Sequence, residues 1–335
     1  MVAPYANSVY ASHRRGTYIM KRYRNGLPLD LSMNWSRRKV GYFLNRYFPT
    51  LAAKAADVGL RYMMRKMYGD KLDPSWGLDN AAPAFLAPHV LDDCVITLLA
   101  EGKVQSRPGI SRFTGPKSVE FTDGTTLEDI DAVICCTGYG ADFSLTPFIE
   151  MSAPAVDNKG KPYSGGSMAR LYMNIFPPAH ADSIAILAYS GFGKNNGFSF
   201  SDVTSMAISN IWRGVSADML PSRADMERKV DSHQAWVASR YNLFPLIDLS
   251  MVKQWEFQGF LHEAAGTGLE NLGWGWKGWL FMLKDPKMSW LMNQGVETAH
   301  AFRFFETGKR KTWPGARDAI IHMNELVKAI PKQKD

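Results

Sequence analysis

The sequence predicts an α/β fold, and three features of the chain carry this prediction. Residues 131–136 form a continuous apolar run that ends in a glycine-containing loop. A run without alternating polar residues is typical of a strand buried on both faces, as in a parallel sheet covered by helices. Residues 184–189 form a second apolar run, which leads into a glycine-rich turn and then a helical pattern. Beyond residue 214 the chain is predicted to be helical.

The remaining strands are predicted from shorter segments. Residues 95–98 are apolar and partly β-branched, which favours a strand. Another strand is expected over residues 103–113, and a short one near the N-terminus at residues 8–12. Asp123 and Gly124 lie between two β-prone segments, and this pair indicates a hairpin.

Helices are predicted from apolar periodicity and from residues that favour helix ends. Residues 35–68 are expected to be helical with a break at Pro49, because proline interrupts a helix. Another helix is expected from about Asp202, and Gly214 can end it. Its apolar face consists of Val203, Met206, Ala207 and Ile211.

Two later helices have recognisable starts. Ser222 is followed three residues later by Asp225, a spacing typical of a capping box. Pro314 is expected in the first turn of the last helix, where its missing N–H costs nothing. The apolar face of that helix consists of Ala316, Ile320, Met323 and Val327.

Tryptophans are concentrated before the last helix, and we expect them to pack in a core or an interface. They are Trp274, Trp276, Trp279 and Trp290. Residues 273–278 also match Gly-x-Gly-x-x-Gly. A dinucleotide turn of this type must follow a strand, since the strand end and the helix start together bind the pyrophosphate. Residues 266–272 do not resemble a strand, so we interpret this match as a coincidence.

The composition indicates a globular protein in a reducing compartment. Apolar residues make up 46% of the chain and charged residues 21%, as in ordinary soluble domains. No apolar stretch is long enough to span a membrane, and the basic N-terminal residues do not resemble a secretory signal. Three cysteines argue against a disulfide framework. We therefore expect a cytoplasmic protein without a membrane span.

The cysteines and histidines do not indicate a metal site. Cys135 and Cys136 are adjacent in the apolar run and are expected to be small buried residues, with a redox pair as the alternative. The seven histidines show no spacing typical of metal ligands.

Positive charge is concentrated near the N-terminus. The net charge is +7, and residues 1–75 contain fourteen basic and four acidic side chains. Such a segment could bind nucleic acid, anionic lipid or a phosphate-rich cofactor. No nucleic-acid-binding module is recognisable, so a nucleic-acid partner is not expected. Solvated helix faces explain most of these charges, which leaves phosphate binding open for a subset.

Two short segments are candidate cofactor sites because each follows a predicted strand. Arg14 and Arg15 follow the N-terminal strand, where arginine accommodates the 2′-phosphate of a dinucleotide. Thr137, Gly138 and Tyr139 follow the run at 131–136, and ligands of open α/β sheets bind at the carboxyl ends of strands. An ordinary surface turn is the alternative in both cases.

Taken in order, several segments resemble the flavin-containing monooxygenase family. Residues 8–16, SVYASHRRG, resemble the strand and Arg-Arg-Gly segment of the family's NADPH domain. Residues 121–139, FTDGTTLEDIDAVICCTGY, resemble its FEDGT…DIDVVIFATGY stretch. Residues 279–287 and 313–317 resemble two C-terminal segments. The order and spacing of these motifs match the family from about residue 8 to about residue 330.

The resemblance implies a flavoprotein with two Rossmann-like dinucleotide-binding domains and a helical C-terminal region. NADPH would reduce FAD, and O₂ would be used to oxygenate a soft nucleophile, usually nitrogen or sulfur, in a small-molecule substrate. By position, Arg14 and Arg15 would contact the NADPH 2′-phosphate, and residues 137–139 would lie beside FAD. The glycine-rich turn would face the flavin ring through Gly191, Gly193, Asn195 and Asn196.

The sequence departs from the family pattern at its beginning. In the family, the glycine-rich turns that bind the FAD and NADPH pyrophosphates precede the position matched by Met1. Residues 1–90 are therefore predicted to be a remnant of the NADPH-binding domain. Residues 91–335 are predicted to be the C-terminal part of the FAD-binding domain with a helical region. The predicted fold class is thus an incomplete α/β flavoprotein of this type.

Three interpretations of that departure remain open. The chain is the C-terminal part of a longer oxygenase, or a short enzyme that is complemented by another polypeptide or by self-association. Alternatively, it is a non-catalytic relative that binds a partner protein. An exposed parallel-sheet edge would favour such pairing.

Overall fold

The computed structural model confirms a mixed α/β fold. It describes residues 2–24, 26–78, 81–84, 86, 89–138, 142–187, 189 and 197–331. Within these residues the helices are α1 (Trp35–Tyr47), α2 (Pro49–Tyr68), α3 (Val95–Ala100), α4 (Gly197–Trp212), α5 (Arg223–Tyr241), α6 (Gln254–Ala265), α7 (Trp276–Lys284), α8 (Pro286–Gln294) and α9 (Ala316–Ala329). The strands are β1 (Tyr10–Ser12), β2 (Ile19–Met20), β3 (Tyr23–Arg24), β4 (Leu27–Pro28), β5 (Val90–Leu91), β6 (Gln105–Arg107), β7 (Ile110–Gly115), β8 (Ser118–Phe121), β9 (Thr126–Leu127), β10 (Met151–Ser152) and β11 (Met168–Ala169). Helices α1 and α2 confirm the helical prediction with a break at Pro49.

Contacts divide the chain into two compact units. Unit 1 contains residues 1–22 and 53–140, and unit 2 contains residues 23–52 and 141–335. Unit 2 is therefore assembled from two separate stretches of chain. The predicted division at residue 90 concerns cofactor domains and stays a prediction.

Short parallel strand pairs form the centre of unit 1. Strand β1 pairs with β6 and β2 pairs with β5, both in parallel. The C-terminal part of α2 buries Met64 and Tyr68 in the same core as Ile19 of β2. The strand predicted at residues 8–12 is confirmed as β1.

Strands β7, β8 and β9 form an antiparallel sheet, also in unit 1. In the turn before β9, the Asp123 carboxylate accepts a hydrogen bond from the backbone N–H of Thr125 at 3.0 Å. Gly124 has a φ of +83°, a conformation that glycine adopts without steric cost. The predicted hairpin is confirmed, and β6 and β7 confirm the interrupted strand at residues 103–113.

The strand predicted at residues 95–98 is wrong, because these residues form α3. The Asp92 carboxylate accepts a hydrogen bond from the backbone N–H of Val95 at 2.6 Å, which satisfies a donor that the first helical turn leaves free. Ile96 and Leu99, three residues apart on one helix face, are buried in the core of unit 1. Capping and the burial of one face therefore outweigh the β-propensity of this segment.

The buried strand predicted at residues 131–136 is also wrong. The segment is irregular and exposed: Ile134 is 67% exposed, and Cys135 and Cys136 are exposed free thiols rather than buried residues. A strand inside a sheet needs hydrogen-bonding partners along its backbone. Among the residues that the structure describes, no strand pairs with this segment. The apolar pattern identified hydrophobic residues but could not supply that pairing.

Helices α4 and α6 contribute to the main core of unit 2. The predicted apolar face of α4 is confirmed, because Val203, Ala207 and Ile211 are almost fully buried and Met206 packs against the same core. The helix starts at Gly197, before the predicted Asp202.

The predicted helix start is confirmed for α5 and is wrong for α9. The Ser222 hydroxyl accepts a hydrogen bond from the backbone N–H of Asp225 at 3.2 Å, which confirms the predicted cap of α5. In contrast, Pro314 precedes Gly315, the N-cap residue of α9, so its predicted position in the first turn is wrong. The predicted α9 face is buried at Ala316 and Ile320 and half-buried at Met323 and Val327.

The strand predicted at residues 184–189 is not formed in its described part. Residues 184–187 are irregular, and the backbone N–H of Ile186 donates to the carbonyl of Ile175 at 2.8 Å. Ile186 and Tyr189 pack against a small cluster around Leu171. The apolar side chains are thus used for local packing instead of a sheet.

Four tryptophans predicted to pack are strongly exposed. Trp274, Trp276, Trp279 and Trp290 are 54–73% exposed, so core packing is wrong for them, whereas interface packing stays a prediction. Four of the exposed apolar residues of α7 share one helix face because they recur with helical spacing. They are Trp276, Trp279, Leu280 and Leu283.

Within the described ranges, no helix is both long enough and apolar enough to cross a bilayer. The residues before the Gly-x-Gly-x-x-Gly match, at 269–271, form a short 3₁₀ turn and not a strand. The prediction that no strand precedes this match, which led us to reject it as a dinucleotide-binding turn, is therefore confirmed.

Matched leucine truncations in unit 2 test the assignment of its core. Leu261 is fully buried and Leu283 is 78% exposed. We expect Leu261→Ala to lower the free energy of unfolding by about 2–5 kcal/mol, through lost burial and a residual cavity. Leu283→Ala should change it by no more than about 0.5 kcal/mol. Urea unfolding followed by tryptophan fluorescence measures both, since every tryptophan except Trp76 lies in unit 2. Equal effects of the two variants would contradict the core assignment.

Candidate functional site

Arg14 and Arg15 lie on the turn that follows β1. The imidazole of His13 fixes this turn, because its Nδ1 lies 2.8 Å from the Arg15 carbonyl and its Nε2 lies 2.9 Å from the Ser106 hydroxyl. The backbone N–H of His13 donates to the Arg107 carbonyl at 3.1 Å, which extends the β1–β6 pairing. Both arginines therefore follow the carboxyl end of a parallel strand, where dinucleotide folds bind their ligands.

The two arginines differ in exposure. Arg14 is exposed and Arg15 is half-buried. Burial lowers the pKa of Arg15, and the positive charge of Arg14 lowers it further. An anion at this turn would offset the repulsion between the two charges. The next residue is held tightly, since a Cβ on Gly16 would lie 2.1 Å from the Leu78 carbonyl oxygen.

Thr137 and Gly138 lie on the exposed segment that follows residues 131–136 in unit 1. Gly138 has a φ of +85°, and a Cβ added to it would meet no atom within 4 Å. The backbone here leaves room for a ligand to approach closely. The other predicted flavin-binding residues lie outside the described residues; they are Tyr139, Gly191, Gly193, Asn195 and Asn196.

Unit 2 contains a cavity that the sequence did not reveal. Its volume is about 630 Å³, which is within the usual range for small-molecule sites. The walls come from α1, α6, the start of α7 and residues 307–309. Side chains in the walls include Trp35, Lys39, Tyr42, Trp255, His262 and Lys277.

Helix α1 forms one wall of this cavity because side chains anchor it to the C-terminal part of unit 2. The Arg38 guanidinium donates two hydrogen bonds to the Glu297 carboxylate, at 2.9 and 2.6 Å. The Lys39 ammonium donates to the Leu272 carbonyl at 2.5 Å. Trp35 is 7% exposed and belongs to the main core of unit 2. These contacts fix one face of α1 against the rest of the unit.

Another wall is the C-terminal end of α6, where side chains from other segments donate hydrogen bonds to backbone carbonyls. The Ala264 carbonyl accepts hydrogen bonds from Asn210 Nδ2 and Ser216 Oγ, each at 3.0 Å. The Lys309 ammonium donates to the Glu263 carbonyl at 3.0 Å. The orphan carbonyls of the last helical turn therefore have side-chain donors, and the wall is rigidly placed.

His262 lies in this wall and is almost fully buried. Its Nδ1 is 3.1 Å from the Thr267 hydroxyl, and its ring packs edge-on against Trp35 and Phe302, with centroid distances of 5.8 and 5.1 Å. Burial, followed by the positive charges of Arg38 and Lys39, lowers its pKa to about 4. The imidazole is therefore neutral at pH 7. Its Nε2 has no hydrogen-bond partner among the described residues.

The groups on α1 that line the cavity are also perturbed by burial. Burial lowers the pKa of Lys39, an effect that the nearby carboxylate of Glu270 opposes. Burial raises the pKa of Tyr42 to about 12, and the charge of Arg38 opposes this shift. At pH 7 the cavity wall thus combines the Lys39 ammonium, whose charge Glu270 only partly offsets, with the neutral side chains of Tyr42 and His262.

No local sequence pattern indicates this cavity. Its lining residues come from three stretches, residues 35–42, 255–277 and 307–309, and no motif spans them. The basic cluster at residues 37–39 was visible in the sequence, but the same spacing is common on solvated helices. Only the tertiary contacts of Lys39 distinguish it from its neighbours.

Comparison with known proteins identifies the family. A family model for flavin-binding monooxygenase-like proteins matches residues 2–333. Monooxygenase aurF of Gibberella zeae is 34% identical over 327 residues, which cover 96% of this chain and 60% of that protein. The chain therefore belongs to the flavin-binding monooxygenase-like family, as the sequence motifs indicated.

Mammalian relatives show the same pattern of coverage. Dimethylaniline monooxygenase (N-oxide-forming) 2 of Pan troglodytes is 27% identical, over 96% of this chain and 54% of that protein. Flavin-containing monooxygenase 5 of Cavia porcellus is 26% identical, over 94% of this chain and 53% of that protein. The chain thus spans little more than half the length of these relatives.

The pKa of His262 predicts how stability depends on pH. With a pKa of about 4 in the folded chain and about 6.5 when unfolded, His262 stabilises the fold fully above pH 6.5. This contribution, about 3 kcal/mol in total, is lost as the pH falls towards 4 because the unfolded chain binds the proton more tightly. Urea unfolding between pH 4 and 7 should show the loss in the wild type and in His322→Gln, a control at an exposed α9 position. His262→Gln should lack this component, and an unchanged pH dependence in that variant would exclude the assignment.

Proposed function

We propose that this chain is the NADPH- and FAD-using part of a monooxygenase that oxygenates a nitrogen or sulfur atom of a small molecule. One observation carries the proposal: in a member of this family, Arg14 and Arg15 follow the carboxyl end of a parallel strand. That is where dinucleotide folds bind the adenosine ribose.

The turn at Arg14 and Arg15 fits NADPH. Two adjacent guanidinium groups favour a phosphate dianion, and arginine binds phosphate oxygens in a bidentate manner. His13 holds the backbone of the turn through the Arg15 carbonyl and the Ser106 hydroxyl. The exposed Arg14 side chain is thereby presented on a fixed support.

The fit for FAD rests on family membership and on the backbone at Gly138. An added Cβ at Gly138 would meet open space, and the residue has a left-handed φ. Thr137 and Gly138 could therefore contact the edge of a flavin without steric conflict. When bound, NADPH supplies a hydride and FAD transfers the reducing equivalents to O₂.

The substrate class is inferred from a relative. The name of the Pan troglodytes protein refers to N-oxide formation from dimethylaniline. Nitrogen oxygenation of a tertiary amine is therefore the first activity to measure for this chain.

A second candidate function is that of a binding partner for another polypeptide. The exposed apolar segment at residues 131–136, in which Val133 and Ile134 are 42% and 67% exposed, favours it. Such a segment can pair with a strand supplied by another chain or by a second copy. In this case the chain would acquire its cofactors only in the assembled form.

Cofactor retention and oxygen uptake distinguish these two functions. The purified chain is incubated with FAD, separated by gel filtration and examined for co-eluting flavin absorbance. NADPH-dependent O₂ consumption with N,N-dimethylaniline is then measured. Flavin retention with amine-stimulated O₂ uptake supports the enzyme, whereas a chain that retains no flavin alone supports the binding partner.

Replacement of Arg14 tests the predicted NADPH contact. We expect Arg14→Ala to weaken NADPH binding by about tenfold to hundredfold, the loss of one charge-assisted hydrogen bond of about 1.5–3 kcal/mol. NADH binding should not change, because NADH lacks the 2′-phosphate. Arg22→Ala is the matched control, since Arg22 is exposed in unit 1 and pairs with Asp93 at 3.8 Å. Fluorescence titration measures the affinities of the wild type and both variants for NADPH and NADH. An equal loss for NADH and NADPH in Arg14→Ala would rule out the 2′-phosphate contact.

A further inference from the structure

The cavity of unit 2 is a candidate binding site that the proposed oxygenase function does not use. The predicted cofactor residues that the structure describes, Arg14, Arg15, Thr137 and Gly138, do not line it. At about 630 Å³ it can contain a bicyclic organic molecule with its solvation water. All of the described residues that line it belong to unit 2.

The apolar part of the cavity wall is aromatic. Trp35 on α1 is 7% exposed, and Tyr42, two helical turns later, lines the same cavity. Trp255 on α6 lines it as well. Flat aromatic side chains on two helices favour a planar, apolar ligand, because rings gain both buried area and stacking or edge-on contacts.

Three lysines line the cavity, and the hydrogen bonds of two of them go to neutral groups, so their positive charge is available to a ligand. Lys277 forms an ion pair with Glu270 at 3.6 Å. The hydrogen bonds of Lys39 and Lys309 go to backbone carbonyls of Leu272 and Glu263, which are neutral groups. An ammonium has three N–H donors, so each of these lysines can bind a further acceptor.

Lys39 is the better placed of these two ammonium groups for an aromatic anion. Its Nζ lies 5.5 Å from the centroid of the Trp35 ring, so charge and aromatic surface adjoin. Burial lowers the pKa of Lys39, and Lys39 contributes to the lowered pKa of His262. The pKa shift of Lys39 comes from burial and is opposed by the Glu270 carboxylate. Besides burial, the contributions of Arg38 and Lys39 to the pKa shift of His262 show positive potential at the imidazole, which an anion would offset.

Trp35 Nε1 and His262 Nε2 are among the buried polar atoms of this wall that have no hydrogen-bond partner in the described part of the chain. An unpartnered buried polar group is costly. A ligand with an oxygen acceptor, or the water it brings, would give the Trp35 indole N–H a partner. This observation is independent of the charges and also indicates a ligand with acceptor oxygens.

We propose that the cavity between α1, α6 and α7 binds an aromatic carboxylate. The ring packs against Trp35, Tyr42 and Trp255, and the carboxylate pairs with the Lys39 ammonium. The site requires neither FAD nor NADPH, so it stands or falls independently of the oxygenase proposal.

Isothermal titration calorimetry of the purified chain with 2-naphthoate and 2-naphthamide tests the proposal. The two probes share a ring system and differ in charge. We expect 2-naphthoate to bind about tenfold more tightly than the amide, since one charge-assisted contact to Lys39 is lost in the amide. Absence of 2-naphthoate binding at millimolar concentration, or equal affinity for both probes, would overturn the proposal.

Variants at Lys39 test the charge. Lys39→Met should lower 2-naphthoate affinity about tenfold and leave 2-naphthamide unchanged, whereas Lys39→Arg should retain the preference for the acid. Lys287→Met removes the same charge from an exposed position on α8 and should have no effect. An equal loss in Lys287→Met would show a general charge effect and would overturn the assigned contact.

A variant that fills part of the cavity tests ligand binding there without changing a charged residue. Gly259 lines the cavity from α6, and a Cβ added there meets no atom within 4 Å. Leucine also has a higher helix propensity than glycine, so Gly259→Leu should fold and fill part of the cavity. We expect it to weaken both probes about tenfold or more. Unchanged binding of both probes would place the ligand elsewhere and overturn the proposal.

Discussion

Helix α6 ends inside unit 2, and the carbonyl groups at that end constrain the structure around them. A helix leaves its last carbonyls without partners in the helix, and a buried carbonyl without a donor costs roughly 1–3 kcal/mol. Side chains from three other segments supply donors there: Asn210, Ser216, Thr307 and Lys309. Satisfying one helix end therefore fixes α4, the loop after it and the segment before α9. The wall that contains His262 is placed by the same hydrogen bonds.

The electrostatics of unit 2 follow from that framework. Arg38 is paired with Glu297, and although burial lowers its pKa, the Glu297 carboxylate and the Tyr42 side chain together raise it by more. Lys39, one residue later, bonds to a neutral carbonyl. The charges of Arg38 and Lys39 both add to the burial that lowers the pKa of the His262 imidazole. Arg38 thus forms a direct ion pair with Glu297, whereas Lys39 hydrogen-bonds a neutral carbonyl and has the Glu270 carboxylate nearby, a distinction that lies in tertiary contacts.

The sequence predicted the local features of the fold and missed those that depend on distant partners. The hairpin at Gly124, the cap at Ser222 and the buried face of α4 were predictable, because turn conformation, capping and helical periodicity act within a few residues. Residues 95–98 became helical because Asp92 caps them, a signal that lay outside the apolar run. Residues 131–136 have no paired strand within the described ranges, although their composition suggested one. Arg14 and Arg15 follow the strand that the sequence predicted, because that strand is marked locally, and their role as a cofactor contact stays a prediction.

The attachment of α1 has a consequence for synthesis of the chain. Arg38 and its partner Glu297 are 259 positions apart. At about 5–20 residues per second, a ribosome needs on the order of ten to fifty seconds to make that intervening length. The other described members of the core around Trp35 begin at Tyr172, so during the first part of this interval the helix carries an indole without a core, and the acid that pairs with Arg38 is made only at its end. A nascent chain in this condition is a natural client for chaperones, and a fragment that begins after residue 52 would never recover the missing wall.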